Sequence, residues 1–125
     1  MTKRLVELSI LTGDLEGAAA AWAKASGVRL DLGAGEGQAT VGGVLLRFLS
    51  PAAGRQAAEL VASRGDGMYE LVVEVDDVVE TMAGLRAKGV DVSGVELGEG
   101  GRREIRIDPA SSHGVPIRLV EKRDA

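Results

Sequence analysis

The feature that most constrains the fold of this chain is an internal repeat of about 60 residues. In each half, a stretch of alternating apolar residues leads into a helix signal that begins at an aspartate. Glu7 precedes Asp14 by seven residues, and Glu70 precedes Asp77 by the same seven. Only two copies fit in the 125 residues, whereas open solenoids stack three or more. The repeat therefore predicts two modules that pair around a shared core.

Each module is predicted to contain one strand, one helix and three further strands. Leu5–Leu11 and Tyr69–Val75 alternate with the period of a strand. Acidic N-caps open the two helices, which end near Gly27 and before Gly89. The other predicted strands are Val28–Leu32, Gln38–Val41 and Val44–Leu49 in the first module and Val90–Val95, Arg103–Ile107 and Val115–Val120 in the second.

The fold class that follows is α+β, with two βαβββ modules forming a curved eight-stranded sheet around a cavity and helices packed outside. We assign the modules to residues 1–50 and 67–122 of a single domain that spans 1–125. Residues 51–66 connect the modules, and Arg55–Arg64 is predicted as a short surface helix within this connection.

Composition excludes several functional classes. A net charge of -4 argues against a surface that neutralises phosphate backbones, so nucleic acid is not an expected partner. The absence of cysteine removes disulfides, thiolate metal sites and cysteine nucleophiles. No apolar run approaches the roughly 18 residues of a membrane span. We therefore expect no membrane partner and a cytoplasmic location.

The repeated order of strand, aspartate-initiated helix and three strands resembles the vicinal oxygen chelate superfamily, which includes glyoxalases, extradiol dioxygenases and bleomycin-resistance proteins. The resemblance covers nearly the whole chain. Within it, Val73–Asp77 (VEVDD) and Asp108–Leu119 (DPASSHGVPIRL) are similar to methylmalonyl-CoA epimerases. The resemblance implies a glyoxalase-like fold and a ligand cavity between the modules.

The resemblance also implies a divalent metal, held by side chains on the first and fourth strand of each module. The matching positions here are Glu7, Arg47, Glu70 and Arg118. A guanidinium is always charged near neutral pH and has no lone pair to donate, so arginine cannot ligate a cation. The single histidine, His113, lies on the final loop and does not replace the missing imidazole ligands. We therefore predict no metal at this site and no other cofactor.

Three interpretations of these four charges remain open. They can form a buried salt-bridge network that plugs the metal site and adds little net stability. They can act in catalysis, with Glu7 and Glu70 as acid and base at a carbon next to a carbonyl and Arg47 and Arg118 as anion stabilisers. They can also belong to a non-catalytic binder of a small molecule, like the antibiotic-sequestering members of the superfamily.

The leading hypothesis is a metal-independent, epimerase-like isomerase that acts on a small carbonyl or acyl compound, with acyl-CoA included. Glu7 and Glu70 are its catalytic candidates, and Arg47, Arg118 and His113 its substrate-binding candidates. The rival is a binding or resistance-type protein with a salt-bridged cavity. We also expect a homodimer, because modules of this type leave apolar strand edges to be covered.

Overall fold

A computed structural model of the chain describes residues 3–122, so the first two and last three residues of the predicted domain lie outside the described residues. No helix within this range is long and apolar enough to cross a bilayer. The strands belong to an open, mixed sheet in the order β2-β3-β4-β1-β5-β8-β7-β6, which confirms the predicted fold class. The strands are β1 (Arg4–Leu11), β2 (Asp31–Leu32), β3 (Glu36–Val41), β4 (Val44–Leu49), β5 (Gly67–Val75), β6 (Glu96–Leu97), β7 (Arg103–Ile107) and β8 (Ile117–Glu121), and the helices are α1 (Leu15–Ser26), α2 (Arg55–Arg64) and α3 (Val78–Ala87).

The described chain divides into two compact units. The first unit runs Glu7–Tyr69, and the second combines the residues up to Val6 with those from Glu70 onward. The predicted helix in residues 51–66 is present as α2, within the first unit. The division of the domain into modules 1–50 and 67–122 stays a prediction.

In the first unit, β1 and β4 are parallel neighbours and β3 and β4 form an antiparallel hairpin. Paired residues share a face of the sheet, and the register places Ser9 beside Arg47 and Ile10 beside Phe48. The face that carries Phe48 packs against α1, where Trp22 meets the Phe48 ring edge to face at 5.1 Å. The opposite face carries Ser9 and Arg47. The alternation of β1 and β4 in this unit thus places their charged side chains on the face opposite α1.

In the second unit, α3 covers one face of β5, β7 and β8. The core consists of Val75, Val78, Ile105 and Leu119, all buried. Asp77 opens α3 as predicted, since its carboxylate accepts hydrogen bonds from the backbone N–H groups of Val79 and Glu80 in the first turn. A side-chain N-cap of this kind contributes about 1 kcal/mol. The opposite face of the same strands carries the charged residues.

Three predicted strands differ from the observed ones. Val90–Val95 is not a strand: it pairs only through an isolated bridge at Val92, and the Ser93 hydroxyl accepts the Arg106 N–H in place of a backbone carbonyl. Val28–Leu32 is reduced to β2, which pairs over two residues. Val115–Val120 begins only at Ile117, because Pro116 has no N–H to donate to a ladder.

One glycine in the turn between β2 and β3 is required by geometry. Gly35 has a φ of +78°, and a Cβ there would overlap the backbone of Ala52 and Ala53. We expect Gly35→Ala to lower the free energy of unfolding by about 2 kcal/mol. Gly33→Ala is the matched control, because its added Cβ would meet no atom within 4 Å and its φ is not positive. Urea denaturation of both variants checks the difference, and equal effects would contradict it.

Candidate functional site

The structure brings the predicted charged residues together in two pairs, one in each unit. Glu7 Oε1 lies 3.8 Å from Arg47 Nη2. Glu70 Oε1 lies 3.2 Å from Arg118 Nε. In each unit the pair occupies the sheet face opposite the covering helix. That all four charges line one cavity stays a prediction.

The first cluster consists of Glu7, Ser9, Glu36 and Arg47. Ser9 follows Glu7 by two residues on the same face of β1, and its hydroxyl donates to Glu7 Oε2 at 3.1 Å. Arg47 faces Ser9 across the parallel ladder and also lies 3.8 Å from the Glu36 carboxylate. These two ion pairs of Arg47 are long. Glu7 is buried, whereas Glu36 is partly exposed.

The second cluster is a closed ring of alternating charge. Glu70 and Glu104 are the carboxylates, and Arg106 and Arg118 are the guanidinium groups. Arg106 contacts Glu70 at 3.0 Å and Glu104 at 3.3 Å, while Arg118 contacts them at 3.2 and 3.3 Å. The exposed fraction of the side chain is 7% for Glu70, 5% for Glu104, 16% for Arg118 and 43% for Arg106. We call this cluster the charge ring.

Strand register explains why the ring contains two carboxylates. Arg106 and Arg118 are direct partners in the antiparallel pair of β7 and β8. Like charges directly opposite each other on one face are destabilising. Glu70 and Glu104 approach both arginines and cancel this repulsion. The ring ties β5, β7 and β8 together on the face opposite α3.

Glu104 and Arg106 are site residues that the sequence analysis missed. β7 alternates, with Ile105 and Ile107 towards the core, so Glu104 and Arg106 necessarily share the other face. The alternation of β7 was the sequence signal that could have identified these two residues. Gly98 accommodates the ring, since a Cβ at that position would overlap the Glu104 carboxylate.

His113 lies apart from these clusters. It ends the short 3₁₀ turn Pro109–Ser112 with a left-handed backbone, φ 55°, and its side chain is exposed. Within residues 3–122 its ring has no hydrogen-bond or ion-pair partner. The observed geometry is that of a turn residue, and its role in substrate binding stays a prediction.

The four residues that the resemblance matched to metal ligands are poorly suited to a divalent cation. In each pair a guanidinium, a permanent positive charge without lone pairs, stands against the carboxylate that would have to bind the ion. Among the residues that the structure describes, no group of three or more His, Cys, Asp or Glu is placed to hold a metal. Carboxylates can accept and donate protons, and guanidinium groups can pair with anions, so both chemistries are available to these clusters.

Solved structures with the same glyoxalase-like fold superimpose on nearly the whole chain. A hypothetical protein from Bacillus halodurans superimposes with a TM-score of 0.81 at 18% identity, over 100% of this chain and 98% of that one. Methylmalonyl-CoA epimerase from Mycobacterium tuberculosis gives 0.71 at 22% identity, over 96% and 88%. A variant of the Streptomyces coelicolor methylmalonyl-CoA epimerase, in complex with 2-nitronate-propionyl-CoA, gives 0.70 at 22% identity, over 98% and 96%.

These likenesses establish the fold. No protein-family model matches the sequence, and no curated protein matches it either.

Proposed function

We propose that this protein is a metal-independent isomerase, epimerase-like in its chemistry, that moves a proton at the carbon next to the carbonyl of a small acyl compound. An acyl-CoA thioester is the first candidate substrate, because solved neighbours of the same fold are methylmalonyl-CoA epimerases. The observation that carries the proposal is the pairing of a carboxylate on the first strand with an arginine on the fourth strand, Glu7 with Arg47 and Glu70 with Arg118.

The reaction needs a base for the proton and a positive group for the resulting enolate. We assign the base first to Glu7, a buried carboxylate that accepts from the Ser9 hydroxyl and lies beside Arg47. Glu70, the matching residue of the second repeat, lies 3.0 Å from Arg106 Nη1 and 3.2 Å from Arg118 Nε. Glu7 takes the α-proton, an arginine stabilises the enolate oxygen, and a proton from water adds to the opposite face of the α-carbon to give the epimer, after which Glu7 releases its proton to water. Glu70 is the second candidate for this proton transfer.

Hydrogen exchange tests the proposal directly. The protein is incubated with methylmalonyl-CoA or propionyl-CoA in heavy water, with and without EDTA, and deuterium at the α-carbon is measured by mass spectrometry. We expect incorporation that EDTA does not change. Loss of exchange with EDTA and its recovery with added divalent metal would contradict metal independence. No exchange with either thioester would contradict the assigned chemistry.

The charge ring favours a second candidate function, a non-catalytic small-molecule binder. All four carboxylate oxygens of Glu70 and Glu104 already have a guanidinium within 3.3 Å, which is the arrangement of a salt-bridged plug. Under this alternative, calorimetry would detect thioester binding without deuterium incorporation.

A homodimer is a further part of the proposal. The short strands β2 and β6 carry exposed leucines, Leu32 and Leu97, and exposed apolar strand edges favour pairing with a second copy. Sedimentation equilibrium tests this expectation, and a monomer at micromolar concentration would contradict it. The cytoplasmic location expected from the sequence stays a prediction.

A further inference from the structure

A cavity of about 430 Å³ lies within the first unit, on the face of the sheet that packs against α1. Its walls are apolar and include Leu8 and Ile10 of β1, Phe48 of β4, and Ala18 and Trp22 of α1. Glu7 and Arg47 occupy the opposite face of the same strands, so this cavity is distinct from the proposed acyl site. Its volume falls in the range of small-molecule sites, roughly 300 to 1,000 Å³.

The cavity exists because α1 does not fill the space over the sheet. The helix, described over its whole length, buries none of its residues fully, and its face towards the sheet is rich in alanine. Trp22 reaches the sheet and packs on Phe48, yet it stays only half-buried. An aromatic wall of this kind favours a flat or extended apolar molecule.

The rim of the cavity has a defined charge. Asp66 is the one charged residue among the described residues that line it, and Thr12 and Met68 lie at the same end. Asp66 Oδ1 accepts the Gly13 N–H at 2.9 Å, which fixes the carboxylate at the rim. An ionised carboxylate accepts about four hydrogen bonds, so it retains capacity for a ligand donor. The rim therefore attracts cations and repels anions such as acyl-CoA.

We propose that this cavity is a second ligand site, which binds a small, mainly apolar molecule that carries an ammonium group. The apolar body lies against Trp22 and Phe48, and the ammonium donates to Asp66. This proposal is independent of the isomerase proposal, and it can be tested by binding measurements without any enzymatic activity.

Trp22 is the only tryptophan in the chain, so its fluorescence reports on this cavity alone. Three probes with the same apolar body but different charge are titrated: 4-phenylbutylamine, 4-phenylbutanol and 4-phenylbutyrate. We expect a saturable change of emission with the amine, about tenfold weaker affinity for the alcohol, and weaker affinity still for the carboxylate. Equal affinities for all three probes, or no saturable response to the amine, would overturn the proposal.

Two variants locate the bound molecule. Ala18→Leu fills the wall and should abolish the response, whereas Ala20→Leu, on the exposed side of the same helix, should leave it unchanged. Asp66→Asn keeps an acceptor for the Gly13 N–H and should remove the preference for the amine over the alcohol. If Ala18→Leu does not fold, the amine preference of Asp66→Asn still tests the proposed site. If Asp66→Asn still prefers the amine to the alcohol, the proposed site is contradicted. It is also contradicted if sedimentation shows that the emission change comes from self-association of the protein.

Discussion

Glu104→Ala is expected to lower the free energy of unfolding by about 3 to 5 kcal/mol, measured by urea denaturation. The substitution removes one carboxylate of the charge ring and leaves Arg106 and Arg118 opposite each other across β7 and β8, with Glu70 as the remaining carboxylate of the ring. Removing one partner from a buried ion-pair network costs several kcal/mol because the remaining buried charge loses part of its compensation. Arg118 is the group concerned, since Arg106 remains partly hydrated.

Glu96→Ala is the matched control, because Glu96 lies on β6 directly beside Glu104 in the ladder but its side chain is exposed. An exposed substitution of this kind should change stability by less than about 0.5 kcal/mol. Glu104→Gln separates charge from packing, because it preserves the shape of the side chain. If Glu104→Ala costs no more than Glu96→Ala, the ring does not hold β7 and β8 together.

The repeat and the alternation of single strands were sufficient to predict much of this fold. The seven-residue spacing from Glu7 to Asp14 and from Glu70 to Asp77 places each helix after its strand, and both helices begin after those aspartates. Alternation also places Glu70 and Arg118 on one face, because Val72 and Arg118 are partners in the parallel ladder. These features depend on local sequence, which is why one sequence is enough to find them.

The charge ring and the α1 cavity depend on tertiary packing and were not predicted. Glu104 and Arg106 belong to the site only because β7 pairs with β8 in the register that sets Arg106 opposite Arg118. Register between strands is fixed by the whole sheet, and a shift of one residue would turn both side chains to the other face. The cavity depends on the separation between α1 and the strands β1 and β4, which the residue pattern of the helix does not determine.

Glu7→Gln is expected to lower deuterium exchange at the α-carbon of an accepted thioester by about 10² to 10⁴, the usual contribution of a positioned general base. The glutamine keeps the size of the side chain and can still accept from the Ser9 hydroxyl, so the fold and the thioester affinity should persist. The rate is measured by mass spectrometry and the affinity by calorimetry on the same preparation.

Glu36→Gln is the control for this prediction, because Glu36 lies at the same 3.8 Å from Arg47 but is more exposed than Glu7. If Glu7 is the base, only Glu7→Gln should abolish exchange, and both variants should bind the thioester. If both variants lose exchange equally, the effect comes from a disturbed Arg47 and the base lies elsewhere, with Glu70 the next group to test. If the unaltered protein binds the thioester without exchange, the protein is a non-catalytic binder and the carboxylates have a structural role. Ion pairing to arginine would then keep these carboxylates from accepting the proton.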